Sequence, residues 1–292
     1  MAADPNTDIA RTARRLILAA TLVLLPVAAF AEEPNPTHLY DKFQFEVSGT
    51  AVGFNSELRV DANQGDDGTD IDAEDDLKAP EIKVQPRFEL RWRPGRRHEL
   101  ELGYQFARRN SEHQLDNSFD FGDTTFMSGT HVRSHFDTDR AFLNYRYAFM
   151  AREKTQVGLT FGVGALFIDT QVDALTEIQS EDGEREVEYG AGGSIIGPSA
   201  AIGPFANFQV GEDWYIHSDL RWLKATVDRF TVRVLDAEAG TRWYPWTSVG
   251  FDLSGAVSSI ALDVARPEDR DGLAGSFEYS LLQLRLGLVY VP

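Results

Sequence analysis

Apolar and polar residues alternate with a period of two through residues 81–106. Ile82, Val84 and Phe88 lie on one row, while charges of both signs occupy the positions between them. A period of two is typical of β-strands, so the pattern predicts two strands joined by a tight turn at residues 94–97. A soluble sandwich would leave the charged row in water, whereas a membrane barrel turns the apolar row to lipid and the charged row into its lumen.

The same alternation recurs along the rest of the chain. It predicts an all-β fold over residues 42–292, an antiparallel up-and-down transmembrane β-barrel of ten strands, with eight or twelve as alternatives. We expect long connections at residues 61–78, 110–130 and 173–188, and short turns after the second, fourth, sixth and eighth strands; the short connection after the seventh strand, at residues 227–229, is the exception. This alternation of long and short connections is typical of outer-membrane barrels, with short periplasmic turns and longer external loops.

Two predicted strands depart from the simple pattern. In the strand at residues 131–149, Val132 and Phe136 have the opposite parity to the apolar row that begins at Leu143. This predicts either a bulge near Phe142 or an extension of the strand beyond the bilayer. The strand at residues 189–209 contains Pro198 and Pro204, which leaves its boundaries open, because proline cannot donate to a ladder.

The N-terminus indicates an exported protein. Three arginines precede an apolar run at residues 16–29, and Ala29, Phe30 and Ala31 form an A-x-A cleavage site. These features predict a signal peptide at residues 1–31 and a short periplasmic tail at residues 32–41, with an uncleaved anchor helix as the alternative. Elsewhere the sequence has no run that is long and apolar enough for a transmembrane helix. A membrane-embedded mature protein would therefore be a closed barrel in the outer membrane.

Composition narrows the chemistry. The 292 residues contain no cysteine and have a formal net charge of −18. The absence of cysteine excludes disulfides, thiolate metal sites and cysteine nucleophiles. The acidity argues against a nucleic-acid partner. Four tryptophans lie within a few residues of predicted turns on one side of the membrane, where an aromatic girdle belongs: Trp92, Trp214, Trp243 and Trp246.

Strand parity assigns a set of charged residues to the lumen. Because directly opposed like charges destabilise a hairpin, we predict the register that places Arg91 opposite Glu101 and Trp92 opposite Leu100. The set is expected to form an ion-pair network that fills a narrow barrel, and the alternative is a narrow polar conduit for a small solute. Its predicted members are Lys83, Arg87, Glu89, Arg91, Glu99, Glu101, Arg146, Asp219, Arg221, Asp236, Glu238, Arg242 and Arg285.

Two further groups of residues could carry chemistry. His217 and Asp219 lie two apart on one strand and so share a face, which is the arrangement of a general base with its orienting carboxylate. The acidic loop from Asp61 to Asp76 does not match a calcium loop, because the sixth and twelfth positions are Asp66 and Asp72 rather than Gly and Glu. We expect a solvated loop, and we assign no catalytic residue, cofactor or metal ligand.

The last residues of the chain resemble the C-terminal assembly signal of bacterial outer-membrane β-barrel proteins. In Arg285-Leu286-Gly287-Leu288-Val289-Tyr290-Val291 a polar residue is followed two positions later by glycine and then by alternating apolar or aromatic residues, although Pro292 replaces the usual final Phe. The stretches 68–77 and 121–126 are also similar to segments of uncharacterised Gram-negative barrels. The resemblance implies recognition of the last strand by the barrel-assembly machinery and contact with outer-membrane lipids and lipopolysaccharide.

These observations favour a structural, narrow-channel or small-ligand role in the outer membrane. The alternatives are a hydrolase with its site in the barrel and a surface-interaction protein that uses its acidic external loops.

Overall fold

The computed structural model describes residues 37–61, 69–121, 124–180, 183–228, 230–265 and 274–292. Thr37–Val291 form one compact unit made of antiparallel strands. A 3-10 turn at His38–Tyr40 precedes β1 Phe43–Val60, β2 Ile71–Asp72, β3 Ile82–Gly95, β4 His98–Gln105, β5 Arg108–Gln114, β6 Phe119–Phe121, β7 Thr124–Phe126, β8 His131–Arg152, β9 Thr155–Ser180, β10 Gly183–Gln209, β11 Trp214–Val227, β12 Phe230–Trp246, β13 Val249–Val264 and β14 Gly275–Tyr290. Within the described ranges, no helix is long and apolar enough to cross a membrane.

The main sheet closes on itself, because β14 pairs with β1 from Phe45↔Tyr290 to Val60↔Gly275. Strands β4 and β5 both pair with β8 in one continuous register and are interrupted at Phe106 and Ala107, so they form a single wall strand. Strand β2 adds only two residues to the side of β1. The described wall therefore has ten strands, which confirms the predicted strand number and fold class.

Toward the turn end, the apolar rows of the wall strands face outward. On β14, Leu282 is 68% exposed and Leu284 is 60% exposed, whereas Gln283 and Arg285 between them are buried. Burial thus follows the period of two, with the polar row in the interior, which is the reverse of a soluble sandwich. Both chain ends of the barrel and the connections at residues 96–97, 153–154, 210–213 and 247–248 lie at one end, which we call the turn end; the opposite end is the loop end.

The hairpin of β3 and β4 has the predicted register. Arg91 is opposite Glu101 and Trp92 is opposite Leu100. The register shifts between Trp92 and Gly95, yet Arg93 still forms an ion pair with Glu99 across the hairpin. Avoidance of directly opposed like charges was therefore sufficient to choose between the two alignments of this hairpin.

Two predicted connections are wrong in part. The acidic stretch 173–188 is not a loop, because β9 and β10 remain paired from Asp173↔Gly190 to Ser180↔Gly183. Residues 110–130 also contain ordered strand: β5 pairs with β8, and β6 pairs with β7. Backbone hydrogen bonds hold an antiparallel ladder together. A stretch rich in charged side chains can therefore still form paired strands where those side chains are in water.

The predicted bulge near Phe142 is also wrong. Strands β8 and β9 pair without a break from His131 to Ala148, and the register shift lies between Ala148 and Met150. Val132 and Phe136 have the same parity as Asn144, and all three are buried. The interior of the barrel therefore changes from polar near Asn144 to apolar near Val132, and the strand itself needs no bulge.

Candidate functional site

The interior of the barrel is the candidate site, and three layers fill it. Residues 37–41, which we call the cap, close the turn end. A layer of charged side chains, the ion-pair network, occupies the middle. An apolar core, which includes part of the acidic loop, fills the loop end.

The cap packs against aromatic side chains inside the turn end. His38 donates its backbone N–H to the Tyr215 hydroxyl at 3.0 Å, and its ring stacks on Tyr244 with 3.9 Å between ring centroids. The Tyr40 hydroxyl donates to the carbonyl oxygen of Arg152, and burial raises the pKa of Tyr40 above its usual value, so the phenol keeps its proton. Part of the predicted tail thus closes the barrel; residues 32–36 of that tail lie outside the described residues.

Arg146 lies at the centre of the ion-pair network. Its Nη1 is 3.0 Å from Glu99 Oε1, and its Nη2 is 2.9 Å from Asp219 Oδ2. Glu101 Oε2 lies 3.7 Å from the same Nη1, so one guanidinium contacts carboxylates from β4 and β11. The Arg146 guanidinium also covers the ring of Phe205 at 4.7 Å, and only 10% of its side chain is exposed. Arg146 therefore joins β8 across the interior to β11, a strand that is not its neighbour in the wall.

The network balances its charges. Its ion pairs connect eight arginines to eight carboxylates. The arginines are Arg87, Arg91, Arg93, Arg140, Arg146, Arg221, Arg242 and Arg285, and the carboxylates are Glu46, Glu89, Glu99, Glu101, Asp219, Asp236, Glu238 and Asp252. Every one of these carboxylates has an arginine partner within 4.0 Å. Charges withdrawn from water need such partners, because an unpaired buried charge is strongly destabilising.

Twelve of the thirteen predicted lumen residues lie in this network; Lys83 does not. Lys83 Nζ instead donates to the carbonyl oxygen of Arg108 at 2.7 Å. The reason is its height in the wall, because Lys83 precedes Arg87, where β3 begins to pair with β4. Parity assigns a side chain to a face but not to a layer along the barrel axis.

The predicted set omitted four members of the network: Glu46, Arg93, Arg140 and Asp252. Glu46 accepts from Arg242 at 3.0 Å, and Arg140 donates to Asp236 at 2.7 Å. Glu46 alternates with outward Val47 on β1, and Arg140 has the same parity as buried Asn144, so strand parity could have found both.

His217 contacts different carboxylates from the one predicted. Its Nε2 lies 2.9 Å from Asp252 Oδ2 and its Nδ1 lies 3.9 Å from Glu238 Oε1. Asp219 pairs with Arg146 and Arg221 instead, so the predicted orienting carboxylate belongs to other partners. His217 therefore connects the Arg285 to Glu238 pair with the rest of the network.

The network leaves little free space. The cavity between its side chains has a volume of about 40 Å³ and is lined by charged residues from both sides of the wall together with the cap residue His38. A water needs roughly 10–15 Å³ of such space, so the cavity has room for a few waters but not for an organic solute. Buried polar atoms beside it, including Arg146 Nε and Asn207 Oδ1, have no hydrogen-bond partner among the described residues, which suits a hydrated cavity.

The loop end is filled by apolar side chains. Residues 69–79, which we call the plug, enter the barrel mouth and bury Ile71 at 0% exposure and Leu77 at 1%. Buried members of this apolar core include Val52, Phe54, Leu58, Leu115, Phe119, Phe126, Val132, Phe136, Leu166, Ile168, Val232, Val234, Ile260, Leu262, Phe277 and Tyr279. The described part of the acidic loop is thus folded into the core, which corrects the prediction of a solvated loop; residues 62–68 lie outside the described residues.

A buried ion pair fixes the plug. Arg109 is 0% exposed, forms an ion pair with Glu74 and donates to the Ser56 hydroxyl at 2.8 Å. Its guanidinium lies 4.3 Å from the ring centroid of Phe54 and 4.7 Å from that of Phe136. This single charge therefore joins the plug to the wall inside the apolar core.

The acidic residues of the plug build its turn. Asp72 Oδ1 accepts from the backbone N–H groups of Glu74 and Asp75, and Asp76 Oδ2 accepts from that of Asp72. These bonds satisfy backbone donors, as aspartate side chains do in turns. The described residues contain no group of three side chains that could hold a metal ion.

Comparison with known proteins shows no family for this chain. No family model and no curated protein matches the chain.

Among solved structures, the chain is similar to those of bacterial outer-membrane barrels. The Pseudomonas putida toluene transporter TodX is 10% identical over 88% of this chain and 92% of its own, with a TM-score of 0.32. Ail, the attachment invasion locus protein of Yersinia pestis, is 10% identical over 84% and 99%, with a TM-score of 0.28. A Pseudomonas aeruginosa FadL homologue is 11% identical over 91% and 95%, with a TM-score of 0.31. Likenesses at this level carry no functional argument for this chain.

Proposed function

We propose that the protein is a closed β-barrel of the bacterial outer membrane with a structural role, and that solutes do not pass through it. The observation that carries the proposal is the filled interior: the cap, the balanced ion-pair network and the apolar core occupy successive layers. Of the roles that the sequence leaves open, a conduit needs continuous space along the axis. The cavity of about 40 Å³ in the network offers room for a few waters only.

The outer surface supports residence in a membrane. Outward leucines form a continuous row on β14, and the tryptophans Trp214 and Trp243 stack near the turn end with 5.8 Å between ring centroids. Aromatic side chains concentrate at the interfaces of membrane barrels. About 9–11 residues suffice for a strand to cross a bilayer, and β8, β9 and β10 have 22, 26 and 27 residues. We infer that the turn end faces the periplasm and that these three strands project outside the cell.

Fractionation tests the location. We expect the protein in the outer-membrane fraction, with faster gel migration when unheated than when boiled, because a closed barrel resists detergent until heated. The physical reason is that the wall ladder has no edge along β1 and β14 from which to unravel. A soluble periplasmic protein, or one whose migration does not depend on heating, would contradict the proposal.

Conductance tests the closed interior. We expect the purified, folded protein in planar bilayers to give no single-channel steps, because the network and the apolar core lie in series along the axis. Insertion is verified in the same preparation by co-flotation with liposomes and by heat-dependent migration. Reproducible conductance steps from correctly inserted protein would overturn the structural role and favour the narrow conduit.

A further inference from the structure

The barrel wall divides between β10 and β11 toward the loop end. These strands pair from Gln209↔Tyr215 to Ile202↔Trp222. Beyond that pair, residues 183–201 of β10 pair only with β9, and residues 223–227 of β11 pair only with β12. Among the described residues, no other strand pairs with either of these two edges. We call this interruption the split.

Two prolines explain the split. Pro198 and Pro204 are six residues apart, so their nitrogens point to the same side of β10. The ladder with β9 continues through both positions, which means that the missing N–H groups are those that would face β11. Gly203 adds a close backbone approach, because a Cβ there would lie 1.8 Å from the Leu220 carbonyl oxygen. The sequence of β10 therefore limits its pairing with β11.

The split begins where the apolar outer surface ends on the side of the loop end. Trp222 is 53% exposed and is paired with outward Leu235, which is 46% exposed. The next outward pair toward the loop end is Lys224 and Arg233. In the proposed orientation, this change from apolar to cationic marks the headgroup level of the outer leaflet. Unpaired backbone groups are tolerated at that level but not in hydrocarbon.

Lys224 and Arg233 are like charges placed directly opposite each other. Such a pair is destabilising unless an anion lies close to it. Asp263 lies 3.6 Å from Arg233, and Lys224 has no ion-pair partner among the described residues, so this group retains one net positive charge. Lys224 lies on the β11 edge of the split, where backbone N–H groups on the β10 side have no ladder partner beyond Trp222. The arrangement offers N–H donors and cations together, which is the chemistry that phosphate oxygens accept.

We propose that the split binds the headgroup of a phosphate-bearing lipid of the outer leaflet, with Lys224 and Arg233 as phosphate ligands. The lipid's acyl chains lie against the apolar surface at Trp222. This inference rests on the proposed outer-membrane location and goes beyond it by naming a partner and its site.

Lipid titration tests the site. The purified barrel in uncharged detergent is titrated with lipopolysaccharide, and bound lipid is counted by native mass spectrometry. We expect the double variant Lys224→Gln, Arg233→Gln to bind more weakly, by roughly fivefold for each charge removed. The matched control is Lys78→Gln, Arg133→Gln, which removes the same charge from exposed side chains on the plug and on β8.

The remaining outcomes separate the alternatives. An equal loss of affinity in the control variant would show nonspecific attraction to the surface and would overturn the proposal. Competition by millimolar inorganic phosphate that displaces the lipid completely would indicate a free-phosphate site instead. Heat-dependent migration verifies that each variant is folded. Because conductance and fractionation do not depend on Lys224 or Arg233, failure here leaves the proposed function standing.

Discussion

Replacing Arg146 with methionine is expected to destabilise the folded barrel by about 3–5 kcal/mol, the usual cost of removing one partner from a buried ion pair. Arg146 contacts Glu99 at 3.0 Å and Asp219 at 2.9 Å, and its side chain is only 10% exposed. Methionine preserves much of the side-chain volume, so packing against Phe205 changes little. The cost therefore comes from carboxylates that lose a cation while they remain shielded from water.

Urea unfolding in detergent micelles, followed by tryptophan fluorescence, measures this loss. The matched control is Lys83→Met. This substitution also removes a cation from the inner face of the wall, but Lys83 lies outside the network. We expect that control to change the free energy of unfolding by roughly 0.5 kcal/mol or less. Equal effects of the two substitutions would show that the network does not stabilise the barrel more than an isolated surface cation does.

Strand parity predicted the wall and most of the network because both depend on a period of two. The register of β3 and β4 followed from one energetic rule, and it placed Arg91 opposite Glu101 as the structure has it. Glu46 and Arg140 could have been found by the same parity. Parity gives the face on which a side chain lies but not its height along the barrel axis. The prediction therefore included Lys83, which lies on the inner face but outside the network.

The alternation of apolar and polar residues did not predict the apolar core at the loop end, for a different reason. A membrane barrel is expected to have a polar interior, so inward Val132 and Phe136 looked like a break in register. They are inward because the plug brings Ile71 and Leu77 into the same space and excludes water from it. Those apolar residues lie among aspartates without a period, and their partners are on distant strands. The fold of the plug therefore depends on tertiary contacts that no local pattern records.

The proposed headgroup site lies where prolines interrupt the regular pairing of the wall strands. Most of the wall pairs fully with its neighbours, whereas β10 carries two prolines on the side that faces β11. Prolines within a sheet are confined to edges, and an edge inside hydrocarbon would leave backbone groups without partners. The split therefore has to open where polar groups are present, and the opposed cations Lys224 and Arg233 lie at that height.

Replacing Glu74 with alanine is expected to release the plug without unfolding the barrel. Arg109 would lose its carboxylate while buried at 0% exposure, a cost of about 3–5 kcal/mol if nothing moved. The plug can relieve that cost by leaving the mouth, because only two of its residues belong to a wall-paired strand, β2. If the substitution lowers the free energy of opening of the plug by about 3 kcal/mol, the amides of residues 69–79 should exchange roughly 100-fold faster.

Hydrogen exchange with residue resolution checks this expectation at Ala73 and Ala79, whose N–H groups now donate to Ser56 at 2.9 Å and to Ala73 at 2.8 Å. Asp75→Ala is the matched control, because Asp75 is an exposed neighbour in the same turn. Unchanged exchange in Glu74→Ala would show that Arg109 does not hold the plug, and loss of protection along β1 and β14 would show that the plug and the wall unfold together. Conductance should remain absent in the released state, because the ion-pair network still closes the barrel beneath the mouth.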